Sequence, residues 1–235
     1  MASSYPGTPL PRLAQARQAA YRFLADLFFY PEGERLSTLA QVAYVLERYP
    51  LLGFDLFPTW RRLFQALTAL TTSDLPRLQE EYMRLFSRGT ERAPLSPREG
   101  VCRGLLGADA GLLLARLLEH YRAADLTLST AGYPPDHISV ELEFMAFLCE
   151  REGQAWRRKD LAAGVAMLEQ EKAFLEEHLV QWLPLLARAL SQHNASSFYA
   201  TVAEGAVAFV FHEQGLVNAV IEHLRRGTAS PPKRR

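Results

Sequence analysis

His137 and Glu141, two side chains that could carry acid–base or ion-pair chemistry, lie four residues apart in the most unusual segment of the sequence. The segment follows the tandem prolines Pro134 and Pro135 and continues into a run in which apolar residues recur at helical spacing. On a helix with about 100° between residues, His137 and Glu141 are neighbours inside the apolar arc. A lone carboxylate there is costly unless it is paired or neutralised. We therefore expect a defined polar contact at this point.

Two arrangements account for this pair, and the sequence leaves both open. In the first, His137 and Glu141 satisfy each other at a helix–helix contact, Asp136 caps the helix, and the prolines end a loop. In the second, the pair and Asp136 form a polar point at the mouth of an apolar groove, where they receive a cationic group from a partner. A small helical enzyme with a His137–Glu141 site is a further alternative.

The familiar catalytic and metal-binding patterns are missing from the sequence. It contains no GxxxxGK[ST] phosphate loop, no GxGxxG and no GxSxG nucleophile elbow. His212-Glu213 begins like a zinc-protease motif, but Leu216 stands where the second histidine would be. None of the six histidines has an acidic residue three positions before it, as di-iron bundles require. We therefore expect no catalytic residue, no metal ligand and no resident cofactor.

The elements that must position these residues are helices, because apolar residues recur at helical spacing along nearly the whole chain and no series of strands alternates. We expect an all-α, multi-helix bundle of two helical halves, joined by a proline-rich hinge and forming one compact domain. The expected boundaries are a disordered N-terminus at 1–10, the halves at 11–131 and 132–226, and a disordered basic tail at 227–235.

Three expectations concern the second half of the chain. Pro184 should separate a helix at 159–183 from a shorter one at 184–192. Gly205 and Gly215 could interrupt the last helix, 196–226. A group of carboxylates is expected on a solvated helix face, with an arginine-attracting patch as the alternative: Glu169, Glu171, Glu176 and Glu177.

Charge, cysteine content and hydropathy exclude several classes of protein. The chain has 26 Lys and Arg against 26 Asp and Glu, and this zero net charge disfavours nucleic acid as a partner. Its two cysteines have no CxxC spacing, which excludes a cysteine-rich zinc module or a disulfide scaffold and fits a reducing compartment. Apolar runs are too short to cross a membrane, and no targeting segment is visible. We expect a cytoplasmic protein without stable membrane insertion.

Four segments occur in an order that is informative as a set. They are Ala20 to Phe28 with Pro31 after it, the Glu-Tyr-x-x-Leu-Phe element at Glu81 to Phe86, the Pro-x-Asp-His joint at Pro134 to His137, and the Phe-x-x-x-His-Leu-x-x-Trp element at Phe174 to Trp182. Together these segments resemble the TorD/DmsD/NarJ family of redox-enzyme maturation chaperones, over most of the chain.

The resemblance implies an all-helical cytoplasmic chaperone rather than an enzyme. Members bind the twin-arginine signal peptide or N-terminal region of a molybdenum-cofactor oxidoreductase subunit and hold it back until its cofactor is inserted. Contact with the client's molybdenum cofactor would be transient. The resemblance implies that four residues belong to the binding surface or hinge: Tyr21, Pro134, Asp136 and His137. The residue pattern adds Pro135 and Glu141 to the predicted peptide-binding residues.

The predicted wall of the peptide groove is formed by Phe86, Pro97 and Glu99. After the Tyr-x-x-Leu-Phe element, members of the family tend to have a proline, an aromatic residue, a serine and another aromatic residue. This sequence departs from that pattern. Pro97 is instead followed by Arg98, Glu99 and Gly100, so the aromatics are missing and we expect an unusual client. A non-catalytic helical adaptor that binds another protein's helix is the alternative. Either would act as a monomer or as a helix-exchanged dimer.

Overall fold

The computed structural model describes residues 9–47, 58–87, 95–127, 132–194 and 197–229, and these residues contain no strand. The expected all-α, multi-helix fold is confirmed. The α-helices are α1 (Leu10–Leu27), α2 (Gly33–Glu47), α3 (Pro58–Thr68), α4 (Leu75–Tyr82), α5 (Glu99–Cys102), α6 (Gly107–Ala123), α7 (Ile138–Arg157), α8 (Leu161–Phe174), α9 (Val180–Asn194) and α10 (Phe198–Ala229). A 3-10 turn (Thr72–Asp74) precedes α4, and π turns follow α4 (Met83–Ser87) and α8 (Leu175–Leu179).

Helix α1 lies at the centre of the fold and packs along α7, with further contacts to α2 and α10. Its apolar stripe is buried because the side chains recur every three or four residues and face these helices. Aromatic rings extend the core, with Tyr21 edge-on to Phe209 and Phe209 edge-on to Trp60. Helices from both predicted halves thus share one core, while the division at the hinge stays a prediction.

The prediction of a helix break at Pro184 is wrong. Pro184 lies inside α9, which follows the π turn Leu175–Leu179 and α8 without a loop. A proline removes the hydrogen bond to the carbonyl four residues before it, here that of Val180, and its ring crowds that carbonyl. Because that carbonyl directly follows the π turn, the irregular hydrogen bonding is confined to one stretch and the helix continues.

The glycines of the last helix do not interrupt it either, since α10 runs through both. A Cβ atom at Gly205 would lie 3.0 Å from Leu63 Cδ2, so this glycine permits close packing of α10 on α3. At Gly215 a Cβ atom would meet nothing within 4 Å. The helix extends to Ala229, so the predicted disordered tail begins too early; residues 230–235 lie outside the described part.

At the other end of the chain, Leu10 already belongs to α1, and residues 1–8 of the predicted disordered N-terminus lie outside the described residues. Within the described ranges, no helix is both long enough and apolar enough to cross a lipid bilayer.

Substitution of Gly164 tests the packing of α8 on α7. A Cβ atom at Gly164 would overlap the ring of Trp156, a buried and rigid side chain. We expect Gly164→Ala to lower the free energy of unfolding by about 1–3 kcal/mol, despite the better helix propensity of alanine. Gly215→Ala is the matched control, and it should raise stability by up to about 1 kcal/mol. Urea denaturation followed by circular dichroism measures both; equal stabilisation by the two changes would contradict the packing.

Candidate functional site: a buried polar joint and an acidic groove

Asp136 clamps the segment around α5 to the start of α7. Its Oδ1 accepts a hydrogen bond from Arg98 Nε at 2.9 Å, and its Oδ2 accepts one from the Gly100 N–H at 3.3 Å. Its carbonyl accepts the Glu99 N–H at 2.8 Å. The side chain is buried, at 2% exposure. We call residues 132–138, together with the 95–104 segment that they hold, the polar joint.

His137 caps α7 in place of Asp136, which corrects the prediction that Asp136 is the N-cap. The His137 Nδ1 atom accepts the Ser139 N–H at 3.2 Å, and the ring of Tyr133 lies against it with centroids 4.3 Å apart. Burial, together with the nearby Arg98, lowers the pKa of His137 to about 3. The imidazole is therefore neutral near pH 7 and takes a helix N–H as acceptor.

Glu141 is paired with a residue that the sequence did not indicate. Trp182 Nε1 donates to Glu141 Oε2 at 2.9 Å, while Glu141 Oε1 has no hydrogen-bond partner. The prediction that His137 and Glu141 satisfy each other is therefore wrong. Complete burial and the neighbouring Glu99 raise the pKa of Glu141 well above its ordinary value.

Glu99 lies inside the joint rather than on a groove wall. Arg103 Nη1 donates to its Oε1 at 2.6 Å, and His178 Nδ1 lies 2.7 Å from its Oε2. Glu99 is fully buried, so these two contacts balance a charge that water cannot reach. Glu99 thus joins α5 to the π turn Leu175–Leu179, a link that sequence reasoning missed because 79 residues separate Glu99 from His178.

The structure brings most of the predicted site residues together at the joint, but not all of them. Pro97 is buried there, and the carbonyl groups of Pro134 and Pro135 accept hydrogen bonds from the His137 N–H and the Tyr121 hydroxyl. Two predicted residues lie elsewhere in the core: Tyr21 against Phe209, and Phe86 against Tyr82 and Tyr199. Because Asp136, His137 and Glu141 are buried, the second arrangement, an open polar point, does not describe this conformation.

A second polar cluster surrounds Arg17 on α1. Its guanidinium donates to Glu152 Oε2 and Glu213 Oε2, each at 2.7 Å, and to Glu171. All four side chains are at most 1% exposed. The prediction that Glu171 lies on a solvated face is therefore wrong. The sequence held a signal for this cluster, since Arg17 lies within the apolar stripe of α1.

Three carboxyl groups around one guanidinium would carry an excess of buried negative charge if all of them were ionised. Burial raises the pKa of Glu171 to about 8; Arg17 opposes the shift, and Glu152 and Glu213 add to it. Burial likewise raises the pKa of Glu152. Cys149, Glu152 and Glu171 offer ligand atoms within 4.8 Å of one another. Because Arg17 already occupies these carboxylates, the cluster acts as a structural ion network rather than a metal site.

An acidic groove lies on the surface between α1, α2 and α7. Two adjoining cavities of about 540 and 220 Å³ share Arg22 and Asp26; the larger also contains Arg35, and the smaller contains Glu143 and Phe147. The groove takes its name from Asp26 and Glu143, although Arg22 and Arg35 also line it. Arg22 is directed to Glu150 at 3.1 Å, and within the described residues the side chains of Asp26 and Glu143 form no hydrogen bond or ion pair. Partial burial raises the pKa of both carboxyls. Asp26 adds to the rise at Glu143, and Arg22 and Arg35 oppose the rise at both groups.

Comparison with known proteins places this chain in a class. A family model described as "Nitrate reductase delta subunit" matches residues 56–188. The chain is 32% identical over 183 residues to the selenate reductase assembly chaperone protein of Thauera selenatis, covering 77% of this chain and 80% of that protein. It is 30% identical over 173 residues to the chlorate reductase assembly chaperone protein of Ideonella dechloratans, covering 72% and 74%. The chaperone protein TorD of Vibrio cholerae matches over 123 residues at 28% identity, or 49% and 53% of the two chains.

These matches define a class of non-catalytic assembly chaperones. The chain belongs to the nitrate reductase delta subunit family of redox-enzyme maturation chaperones, the TorD/DmsD/NarJ group. The resemblance drawn from the four sequence segments is thereby confirmed, as is the expectation of a chaperone rather than an enzyme.

Replacement of Arg17 tests the buried ion network. Arg17→Met leaves three carboxylates buried without their cation, so we expect a loss of about 3–5 kcal/mol in the free energy of unfolding. Arg62→Met is the control, because Arg62 pairs with Glu204 on the surface at 60% exposure. That change should cost at most about 1 kcal/mol. Guanidinium denaturation measures both, and similar midpoints for the two variants would contradict the role of Arg17.

The raised pKa of Glu171 predicts a pH dependence of stability. Between its ordinary value of 4.5 and about 8, the folded protein holds a proton that the unfolded chain has released. This contribution is fully present below about pH 4.5 and is lost as pH rises through 8. We expect the melting temperature of the wild type to fall relative to that of Glu171→Gln from pH 5 to 8.5. A constant difference between the two melting curves across this range would contradict the assignment.

Proposed function

We propose that this chain is a cytoplasmic chaperone that binds an arginine-bearing N-terminal segment of a molybdenum-cofactor oxidoreductase catalytic subunit. The segment is the twin-arginine signal peptide or the region around it, and binding holds the subunit back until its cofactor is inserted. Support comes from the family membership and from relatives named for the assembly of selenate reductase and chlorate reductase.

The observation that carries the proposal is the pair of carboxylates Asp26 and Glu143, on α1 and α7, at one end of the acidic groove. Both keep part of their access to solvent and lack a hydrogen-bonded cation within the described residues. Partial burial raises the pKa of each carboxyl although Arg22 and Arg35 are near, so a further positive charge from a peptide would favour the ionised forms. A guanidinium suits this place because it donates several hydrogen bonds in a fixed plane.

The floor of the groove suits the apolar stretch that follows the arginines in a signal peptide. Phe23, Leu39 and Val42 line the larger cavity next to Asp26. Another hollow of about 620 Å³ lies between α2 and the 68–75 segment, but no charged residue lines it. It therefore lacks an anchor for arginine, and the acidic groove is the better candidate.

The expected affinity follows from the area that such a peptide buries. About 400 Å² of apolar surface at about 25 cal/mol/Å² is worth about 10 kcal/mol before costs. Ordering a flexible segment removes about 2–5 kcal/mol, which leaves a dissociation constant that is micromolar or weaker. Such binding retains a client and still releases it, while the arginine contacts fix its register.

The residues of the polar joint act in this proposal through the position of α7. Asp136 and His137 fix the first turn of α7, and Glu143 lies less than two turns further along the helix. We therefore assign the predicted peptide-binding residues of the joint a positioning role. Direct contact of Glu141 with a peptide would require the joint to open.

A labelled synthetic peptide tests the proposal. It carries an arginine pair followed by an apolar stretch, as in a twin-arginine signal peptide of a molybdoenzyme catalytic subunit, and binding is followed by fluorescence anisotropy. Intrinsic tryptophan emission is a poor readout, because Trp60, Trp156 and Trp182 are all buried. We expect the double variant Asp26→Asn/Glu143→Gln to weaken binding at least tenfold, because it removes both charges that attract the arginines.

Two controls separate charge recognition from general damage. Glu119→Gln removes an exposed carboxylate on α6, outside the groove, and should leave affinity unchanged. A peptide with both arginines replaced by alanine should bind the wild type and the double variant equally weakly. Equal affinity of the arginine peptide for wild type and double variant would overturn the proposed site. Absence of any saturable binding would overturn the proposed function.

A further inference from the structure

Three potential metal ligands meet between the last turn of α6 and the π turn Leu175–Leu179. His120 Nε2 lies 3.2 Å from Glu177 Oε2, and the rings of His120 and His178 are nearly perpendicular with centroids 5.3 Å apart. Each of the three residues offers a ligand atom within 4.8 Å of those of the other two. No sequence spacing indicates this cluster, because 57 residues separate His120 from Glu177.

The buried member of the cluster has one ring nitrogen without a partner. His178 is 1% exposed, its Nδ1 is held by Glu99 Oε2 at 2.7 Å, and its Nε2 has no hydrogen-bond partner. A carboxylate that accepts the Nδ1 proton leaves a lone pair on Nε2. This carboxylate–histidine arrangement orients the ring and raises its basicity in many metal sites.

The π turn contributes to the geometry. A π turn holds more residues per turn than an α-helix, so consecutive side chains such as those of Glu177 and His178 diverge less around the axis. Both can therefore face His120 on α6. Single π turns inside helices are frequent at functional sites, which agrees with a binding role for this one.

We propose that His120, Glu177 and His178 bind a divalent transition-metal ion of the zinc type. Two imidazoles and one carboxylate match the three-ligand zinc sites in which a fourth position stays open to a small molecule. Imidazole ligands favour such ions over Mg²⁺ and Ca²⁺, which prefer oxygen.

The present geometry lies close to what such an ion requires. With ligands at about 2.0–2.1 Å from zinc, tetrahedral ligand atoms lie about 3.3 Å apart. The His120–Glu177 distance of 3.2 Å already meets this value, and the other separations are within 4.8 Å. Side-chain rotation can close the remainder, because His120 is 19% and Glu177 53% exposed while His178 is held fixed by Glu99.

This site is independent of the proposed peptide site, since none of its residues lines the acidic groove. It also differs from the Cys149, Glu152 and Glu171 cluster, whose carboxylates are occupied by Arg17. The metal ion would add a positive charge to a cluster in which the neighbouring Glu99 carboxylate supplies further negative charge.

Titration of the untagged full-length protein with Zn²⁺ in a calorimeter tests the proposal. We expect one ion per chain, and we expect His120→Ala and Glu177→Gln each to weaken binding at least tenfold. His223→Ala, which removes an exposed histidine of α10, is the matched control and should leave binding unchanged. His178 itself is left intact, because its removal would strand the buried Glu99 carboxylate.

Co²⁺ provides a second readout that reports coordination geometry. Binding to the cluster should give the intense visible absorption of tetrahedral Co²⁺, and His120→Ala should abolish it while circular dichroism stays unchanged. The proposal is overturned if the wild type binds neither ion at micromolar concentrations. It is equally overturned if His120→Ala and Glu177→Gln bind Zn²⁺ as tightly as the wild type.

Discussion

The contact on which the fold depends most is that of Arg17 with the carboxylates of α7, α8 and α10. A buried guanidinium and three buried carboxylates have lost their hydration, so each needs the others in place. Apolar packing alone would tolerate small shifts of α1 along its neighbours. Three directional hydrogen bonds from one planar group do not, because they fix both the rotation and the depth of α1. Since α1 and α7 also form the acidic groove, the same contact sets the separation of Asp26 and Glu143.

The helical architecture could be predicted from the sequence, because periodic apolar residues fix where helices run whatever their partners are. Helix-breaking residues were less informative about where the helices end. Pro184 and Gly205 carry strong helix-breaking propensities, yet each lies inside a helix, because tertiary packing outweighs about 1–3 kcal/mol of local preference. The close approach of Gly205 to Leu63 shows the cause, since the missing side chain is what the neighbouring helix requires.

The candidate sites could be predicted only in part. The position of Glu141 within an apolar arc indicated a buried polar contact, and Glu141 is buried. Its partner Trp182 lies 41 residues away on another helix, and no periodicity within α7 contains that information. The same limit applies to Glu99 with His178. Arg17 is different, since its position inside the apolar stripe of α1 is visible in the sequence and indicates a buried ion pair. Asp26 and Glu143 depend on how α1 and α7 are placed, which only coordinates reveal.

The sequence distance between Arg17 and Glu213 has a consequence for biosynthesis. The two residues are 196 positions apart, so Arg17 is synthesised long before Glu213, the last of its three carboxylate partners. At about 5–20 residues per second, a ribosome needs about 10–40 s to cover that interval. During this time the Arg17 charge lies on the face of α1 that becomes buried in the folded protein. A protein built this way completes the ion network in its core only near the end of translation.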